Sequence, residues 1–276
     1  MLYGRRRAEL SPPQVPPPSP AVPRPPRSAR GPVSRGATEQ APVAAATVVL
    51  ARDVDGRMEV LMLRRNQRGQ FGGMWVFPGG MIDDADLDPG HPRDEVATAR
   101  RAAVREAREE AALEPEHDQL VTLSHWLPPS TAARRFSTWI FLAPAPALSE
   151  VTVDGSEIHD HVWMPPSDVL AAHERGEMQL VPPTWITLHW LAARASVHDA
   201  LAEARRREPE RYATRIAEGG GDEGMVALWA GDAAYEDLDL RRAGRRRRLW
   251  MTPGAWRFEL GDAGAGDPGA DTGEET

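Results

Sequence analysis

Cysteine is absent from this 276-residue chain, and so is lysine; all 33 cationic side chains are arginines. The first absence excludes a disulfide framework, a zinc site built on thiolates, an iron–sulfur cluster and a Cys nucleophile. The second excludes a Schiff-base lysine and a phosphate loop of the Walker type, which needs its Lys. Long apolar runs are missing too: none approaches the roughly 20 residues that cross a bilayer. The Arg-rich start MLYGRRR leads into prolines rather than an apolar stretch, a poor secretory signal. The expectation is a cytoplasmic protein without a membrane partner. A net charge of −8, with 41 acidic side chains, argues against a chain-wide nucleic-acid binder. Hydrophobic residues make up 41%, enough for a sizeable core.

Residues 1–40 hold ten prolines and seven arginines against two acids, a composition that buries nothing and predicts a disordered or polyproline-like tail. The globular part starts near Ala41. Val43–Ala51 and Met58–Leu63 are apolar runs around an Asp55-Gly56 turn signal and read as a hairpin. Phe71–Gly80 (FGGMWVFPGG) is a Gly-rich loop with a short strand inside it. Residues 83–92 read as an exposed acidic loop, and a helix is expected from about Arg93 to Leu113, where Val96, Ala99, Ala103, Val104, Ala107 and Ala111 recur at helical spacing. Phe136–Ala143 and Glu157–Trp163 read as strands. Ser167 and Thr184 are expected to cap helices running to His173 and Ala193, and Ser196 to open an Arg/Glu-rich helix through residue 217. Beyond Gly219-Gly220-Gly221, short strands are expected around 225–230, 249–252 and 256–260, and a disordered acidic tail fills 263–276. Strands interleaved with helices indicate an α/β fold.

Arg105-Glu106-Ala107-Arg108-Glu109-Glu110 is the most informative segment. At about 100° per residue, Glu106, Glu109 and Glu110 share one helix face within two turns. Three like charges so close repel unless something cationic faces them, and hard divalent cations such as Mg²⁺ or Mn²⁺ prefer carboxylate oxygens. Arg105 precedes Glu109 by four residues, at ion-pairing spacing. Upstream, Pro78-Gly79-Gly80 lets backbone approach a bound ion or phosphate.

Together, VFPGG and REAREEAAL resemble the Nudix box, G-x5-E-x7-R-E-U-x-E-E-x-G-U with U apolar. The resemblance covers about residues 42–193. It implies a Nudix-type α/β/α sandwich with a mixed sheet over 41–195, a C-terminal extension of helix and short strands over 196–262, and disordered tails. It departs from the box in three places. Gly80 and Arg105 are 25 positions apart, against 14 in the box, so 11 residues are inserted; the box Glu eight positions before Arg105 is Ala97, for which Glu95, Asp83, Asp84, Asp86 and Asp88 are the candidates to compensate; and the box glycine is Ala112. The insertion and the flanks WLPPSTAARRFSTWIFLA and VPPTWITLHWLA resemble the branch that includes peroxisomal-type coenzyme A diphosphatases.

The resemblance implies hydrolysis of a pyrophosphate in a nucleoside diphosphate linked to another moiety, assisted by Mg²⁺ or Mn²⁺, with coenzyme A or an acyl-coenzyme A as favoured substrate. Glu106, Glu109, Glu110 and the Gly80 carbonyl would bind metal, with Arg105 orienting the carboxylates. Glu157 is the leading candidate for the base, with a box glutamate as the alternative. Arg64, Arg65, Arg134 and Arg135 are candidates for holding substrate phosphates, since guanidinium matches phosphate geometry; each pair straddles a strand end, so at most one of each pair is expected to face the site. His159 and His161 share a strand face and read as polar strand positions. Trp126, Trp139, Trp163, Trp185 and Trp190 read as packing. The arginine run 241–248 reads as strand and turn balanced by Asp232, Glu236, Asp237 and Asp239, so nucleic acid is not an expected partner; a homodimer is left open. A non-catalytic Nudix-fold nucleotide-binding module is the competing function, motivated by Ala97, Ala112 and the insertion.

Overall fold

The computed structural model describes residues 41–262 apart from 68–70, 88–89, 91–93, 133, 147–149 and 221–222. Both expected tails lie outside the described residues. Strands β1 (Val43–Val54) and β2 (Arg57–Arg65) form the expected hairpin. Its turn residues Asp55 and Gly56 both have positive φ (49° and 76°), the backbone that a tight two-residue hairpin turn requires.

The hairpin is paired only at its closed end, over Ala51–Val54 and Arg57–Val60. Further along, β1 turns the same edge to β4 (Gly79–Met81), and β2 turns its edge to β3 (Trp75–Val76). A short glycine-containing segment is thus wedged between two strands that part. The opposite edge of β1 pairs in parallel with β6 (Phe136–Pro144), which pairs antiparallel with β5 (Val121–Leu127). The outer edge of β2 carries β7 (Ile158–Met164), antiparallel. At the far side, β5 pairs in parallel with β8 (Glu210–Ala213), completing an eight-stranded mixed sheet.

Period-two alternation divides the core. Ala46, Val48, Leu50, Leu61 and Leu63 face helix α1 (Glu95–Ala111), which presents Ala99, Ala102, Ala103, Ala107 and Ala111. The alanines let the helix axis lie close to the sheet. The alternate residues Val49, Ala51, Val60 and Met62 belong to a second cluster with α2 (Pro166–Glu174), α3 (Pro182–Ala192) and α4 (Val197–Arg206). Helices therefore cover both faces, as expected for an α/β/α sandwich. Each buried Val, Leu or Phe contributes about 1.5–3 kcal/mol.

The C-terminal part adds a four-stranded antiparallel sheet of β9 (Arg215–Glu218), β10 (Met225–Leu228), β11 (Arg246–Thr252) and β12 (Ala255–Gly261). Trp229, Leu249 and Phe258 from this part pack in the α2–α4 cluster. Trp126 on β5 stacks on Tyr212 on β8 at 3.9 Å between centroids and meets Trp229 edge-on.

Three expectations are corrected. Ser167 and Thr184 do not cap: α2 and α3 begin at Pro166 and Pro182, with Pro165 and Val181 at the cap positions. Proline suits the first helical turn because its missing N–H has no intrahelical partner there, so each helix starts earlier than the hydroxyl suggested. The helix expected over 196–217 ends at Arg206; Ser196 does cap it, accepting from the Asp199 N–H at 3.1 Å, but Pro209 lies ahead and β8 and β9 follow. Among its described residues, the 83–92 loop contains a 3-10 turn, Asp84–Asp86, whose last residue is buried.

Within the arginine run, Arg248 is buried and pairs with buried Asp232 at 2.5 Å, Arg247 pairs with Glu210 at 2.6 Å, and Arg242 pairs with Asp237. Burial opposes the Asp232 charge, but Arg248 and the N–H groups of Arg247 and Ala234 outweigh it and hold the carboxyl below its usual range. Replacing Arg248 by Met leaves that carboxylate buried without its cation. The expected loss is about 3–5 kcal/mol in urea unfolding, with part of it recovered in the Asp232→Asn/Arg248→Met double variant.

Candidate active site

The wedge between β1 and β2 brings Gly79 and Gly80 against α1. A Cβ at Gly79 would collide with the Thr47 hydroxyl and the Ala46 carbonyl, and one at Gly80 with the Glu106 carboxylate. Gly79 needs glycine because the β1 backbone leaves no room for a side chain, whereas a side chain at Gly80 would displace the Glu106 carboxylate. The Gly79 N–H donates to Glu110 Oε2 at 2.9 Å. Helix α1 is started by Asp94, whose side chain accepts from the Val96 and Ala97 N–H groups at 3.0 Å each.

The glutamate ridge is graded in burial. Glu110 is buried, Glu106 half-buried, and Glu109 exposed. Burial pushes the Glu110 carboxyl up to about 8; the Gly79 N–H and Arg65 oppose this, and Glu106 and Glu157 add to it. Glu106 is also raised, first by burial, with Arg105 pulling back and Glu109 and Glu157 adding repulsion. Burial thus outweighs the pull of Arg105 on Glu106 and of Arg65 on Glu110.

Arg105 fixes the ridge from the side. It donates to Glu106 Oε1 at 2.9 Å, Glu109 Oε2 at 3.0 Å and the Met81 carbonyl at 2.9 Å, and forms a two-pronged pair with Asp86 at 3.0 and 2.9 Å. Its pKa is raised, chiefly by Asp86 and against burial. Burial opposes the Asp86 charge, but Arg105 and the Asp83 N–H hold its carboxyl below the usual range.

Asp86 is the site residue that counting back from Arg105 missed. That count lands on Ala97, yet counting six positions forward from Gly80 reaches Asp86, the place of the box Glu with a carboxylate one methylene shorter. The 11 extra residues lie between it and Arg105, and nothing acidic has been lost. Ala112 does take the left-handed backbone (φ 55°, ψ 28°) that the box glycine suits. The Leu113 N–H reaches back to the Ala107 carbonyl at 3.3 Å in the manner of a Schellman cap.

Of the ridge, Glu106 lines a cleft of about 450 Å³; Glu109 and Glu110 are not among its lining residues. Of the four candidate phosphate-binding arginines, Arg65 and Arg134 line it; Arg64, over Trp75, and Arg135 are not among its lining residues. Arg65 bridges Glu157 at 2.5 Å and Glu110 at 3.6 Å. Glu157, largely exposed, sits on the cleft wall just before β7. Phe71, Phe136 and Ile140 supply apolar wall, while none of the five tryptophans weighed from the sequence lines the cleft. Among the described residues no three His, Asp or Glu side chains close on one point as a finished metal cage, because Glu109 is turned toward Arg105. The donor set nevertheless fits a hard cation: Glu106 and Glu110 offer carboxylate oxygen beside Gly79 and Gly80, where the backbone comes close to the ridge.

A family model described as NUDIX domain matches residues 41–184. The chain belongs to the NUDIX family. A search of curated proteins found no match. Among solved structures, a NUDIX hydrolase from Alicyclobacillus acidocaldarius is 24% identical, covers 59% of this chain and 96% of that one, and superposes with a TM-score of 0.53, which shows a shared fold. Two others are more distant in shape: the NUDIX domain of Shewanella oneidensis NrtR complexed with ADP ribose (21% identity; 61% and 90% covered; TM-score 0.42) and a C. elegans Ap4A hydrolase binary complex (22%; 59% and 95%; 0.34). The chain is a Nudix pyrophosphohydrolase, and its box runs from Gly80 through Asp86 to Leu113.

Two predictions follow from this geometry. Ala112→Gly should stabilise the Nudix fold by about 1 kcal/mol, since glycine is not strained at positive φ; the check is the urea midpoint. The second concerns pH in EDTA. A carboxyl at about 8 in the fold against an ordinary value of 4.5 means that the folded state binds the extra proton between those limits. Its contribution to stability is therefore full below about pH 4.5, falls as pH rises, and is gone above about pH 8. Glu110→Gln should flatten that part of the urea-unfolding pH profile.

Proposed function

We propose that the cleft hydrolyses the pyrophosphate of a nucleoside diphosphate linked to another moiety, with metal assistance, and that coenzyme A or an acyl-coenzyme A is the favoured substrate. The observation that carries the reaction is Glu106 lining one cleft with Gly79, Gly80, Arg65 and Arg134, with buried Glu110 hydrogen-bonded to the Gly79 N–H beside it. The coenzyme A preference is supported by two segments that resemble the coenzyme A diphosphatase branch. The first contributes Arg134, Phe136, Thr138 and Ile140 to the cleft, and the second Val181, Pro183 and Thr184.

A pyrophosphate resists water because its anionic oxygens repel an approaching lone pair. Glu106, Glu109, Glu110 and the Gly80 carbonyl are the groups that would hold Mg²⁺ or Mn²⁺, which supplies charge neutralisation at the phosphates and lowers the pKa of water. Arg105 keeps Glu106 and Glu109 pointed along the ridge. Arg65 and Arg134 draw the diphosphate into the cleft. Glu157 receives the proton of the attacking water. It is already coupled to the ridge, since its charge raises both Glu106 and Glu110. The binding-module reading loses part of its motive, because Asp86 occupies the position that Ala97 was taken to have vacated.

The test is turnover by the purified chain of coenzyme A, acetyl-coenzyme A, NADH, ADP-ribose and nucleoside triphosphates, with Mg²⁺ or Mn²⁺. Glu106→Gln and Glu110→Gln should each lower kcat by about 10²-fold or more with the fold retained. Glu157→Gln should lower kcat by about 10²-fold with little change in KM. Folded, metal-loaded protein that turns over none of the panel would refute the reading; turnover confined to the other diphosphates would refute the coenzyme A assignment alone.

A further inference from the structure

A second cavity, of about 430 Å³, lies between α3, β5, β8 and the C-terminal sheet, apart from the Nudix box. Its size falls in the range of small-molecule sites. Leu123, Ile186, Phe258 and Leu260 give it an apolar wall, and Arg194, Arg207 and Arg247 a cationic one.

The three arginines differ in how they are satisfied. Arg247 pairs with Glu210 at 2.6 Å and lies 4.7 Å over the Tyr212 ring. Arg194 pairs with Glu203 and lies 4.3 Å over Trp190. Arg207 lies 4.2 Å over the same Trp190 ring, yet among the described residues it makes no ion pair, and its Nε is buried without an acceptor. A buried donor left without an acceptor is uncommon, because its desolvation goes uncompensated. Burial also outweighs the favourable pull of Glu210, Tyr212 and Glu203 on Arg207 and holds its pKa below the usual guanidinium value. Aromatic packing keeps this side chain in place, and the acids that act on it, Glu210 on the cavity wall and Glu203, do so without pairing with it directly.

We propose that this cavity binds a small organic anion: one carboxylate, sulfonate or phosphate, received by Arg207, on an apolar body that lies against Ile186 and Phe258. A bare inorganic anion would leave the apolar wall uncovered, and a neutral apolar molecule would leave the guanidinium unmatched. The site is separate from the catalytic cleft and does not depend on how that cleft is read.

The probe is 8-anilinonaphthalene-1-sulfonate, titrated into the full chain and followed by energy transfer from tryptophan. Saturable one-to-one binding is expected, with displacement by 1-naphthoate and none by 1-naphthol at the same concentration. Arg207→Gln should weaken the affinity about tenfold or more and Arg207→Lys by less. Should Arg207→Gln fail to fold, Ala193→Trp decides: Ala193 is an exposed lining residue, so the indole blocks the cavity without disturbing the core. Arg65→Gln, in the other cleft, should leave binding unchanged. Wild-type affinity in the folded Arg207→Gln or Ala193→Trp variants would overturn the proposal. So would equal competition by naphthol, or loss of binding on Arg65→Gln.

Discussion

Arg105 reaches acceptors from three separate pieces of chain: Asp86 on its 3-10 turn, the Met81 carbonyl at the end of β4, and Glu106 and Glu109 on its own helix. The remaining geometry of the cleft hangs on that convergence. A planar guanidinium with donors in a fixed fork can serve several acceptors at once, which a lysine ammonium does less well. Glu106 is held along the ridge by it, while Glu110 is held by the Gly79 amide. Repulsion between these carboxylates would otherwise drive them toward solvent. Gly79 packs tightly on β1 and Gly80 lies against the Glu106 carboxylate, so backbone and guanidinium both hold the ridge.

Local features of the site were legible in the sequence. Glu106, Glu109 and Glu110 fall on one face because helix geometry is periodic, and the β1–β2 turn declares itself in Asp55-Gly56. Asp86 was harder to find. The signal was present six residues after Gly80, but the insertion shifts any count made from the helix, and its burial comes from contact with Arg105, 19 positions away. Which arginine of each pair lines the cleft depends on where β2 and β6 end relative to the sheet, and neither end is marked by composition. Proline at the start of α2 and α3 was a positional cue masked by nearby hydroxyl residues that resemble caps. β8 and β9 escaped notice because the charges of their segment suit a helix. Their strand state comes from partners distant in sequence, β5 for the one and β10 for the other.

The C-terminal part is built into the core that it follows. β8 extends the main sheet at β5, and Trp126, Tyr212 and Trp229 form an aromatic cluster across that join. The family match stops at residue 184, yet Trp229, Leu249 and Phe258 belong to the same apolar cluster as α3. Two arginines of the 241–248 run serve this assembly, Arg247 tied to Glu210 and Arg248 to Asp232.

Seven residues separate Asp86 from Asp94, so part of the 11-residue insertion lies in α1, and the rest is anchored at both ends. Asp86 is pinned by Arg105, and Asp94 grips the first turn of α1 through two backbone amides. Between two such fixed posts, spacer length is nearly free in energetic terms: each doubling of a flexible loop adds only about 0.6 kcal/mol of closure entropy. This segment can therefore gain or lose residues over evolutionary time while the acidic ridge keeps its alignment, which makes it a natural place to graft new recognition elements beside an unchanged reaction centre.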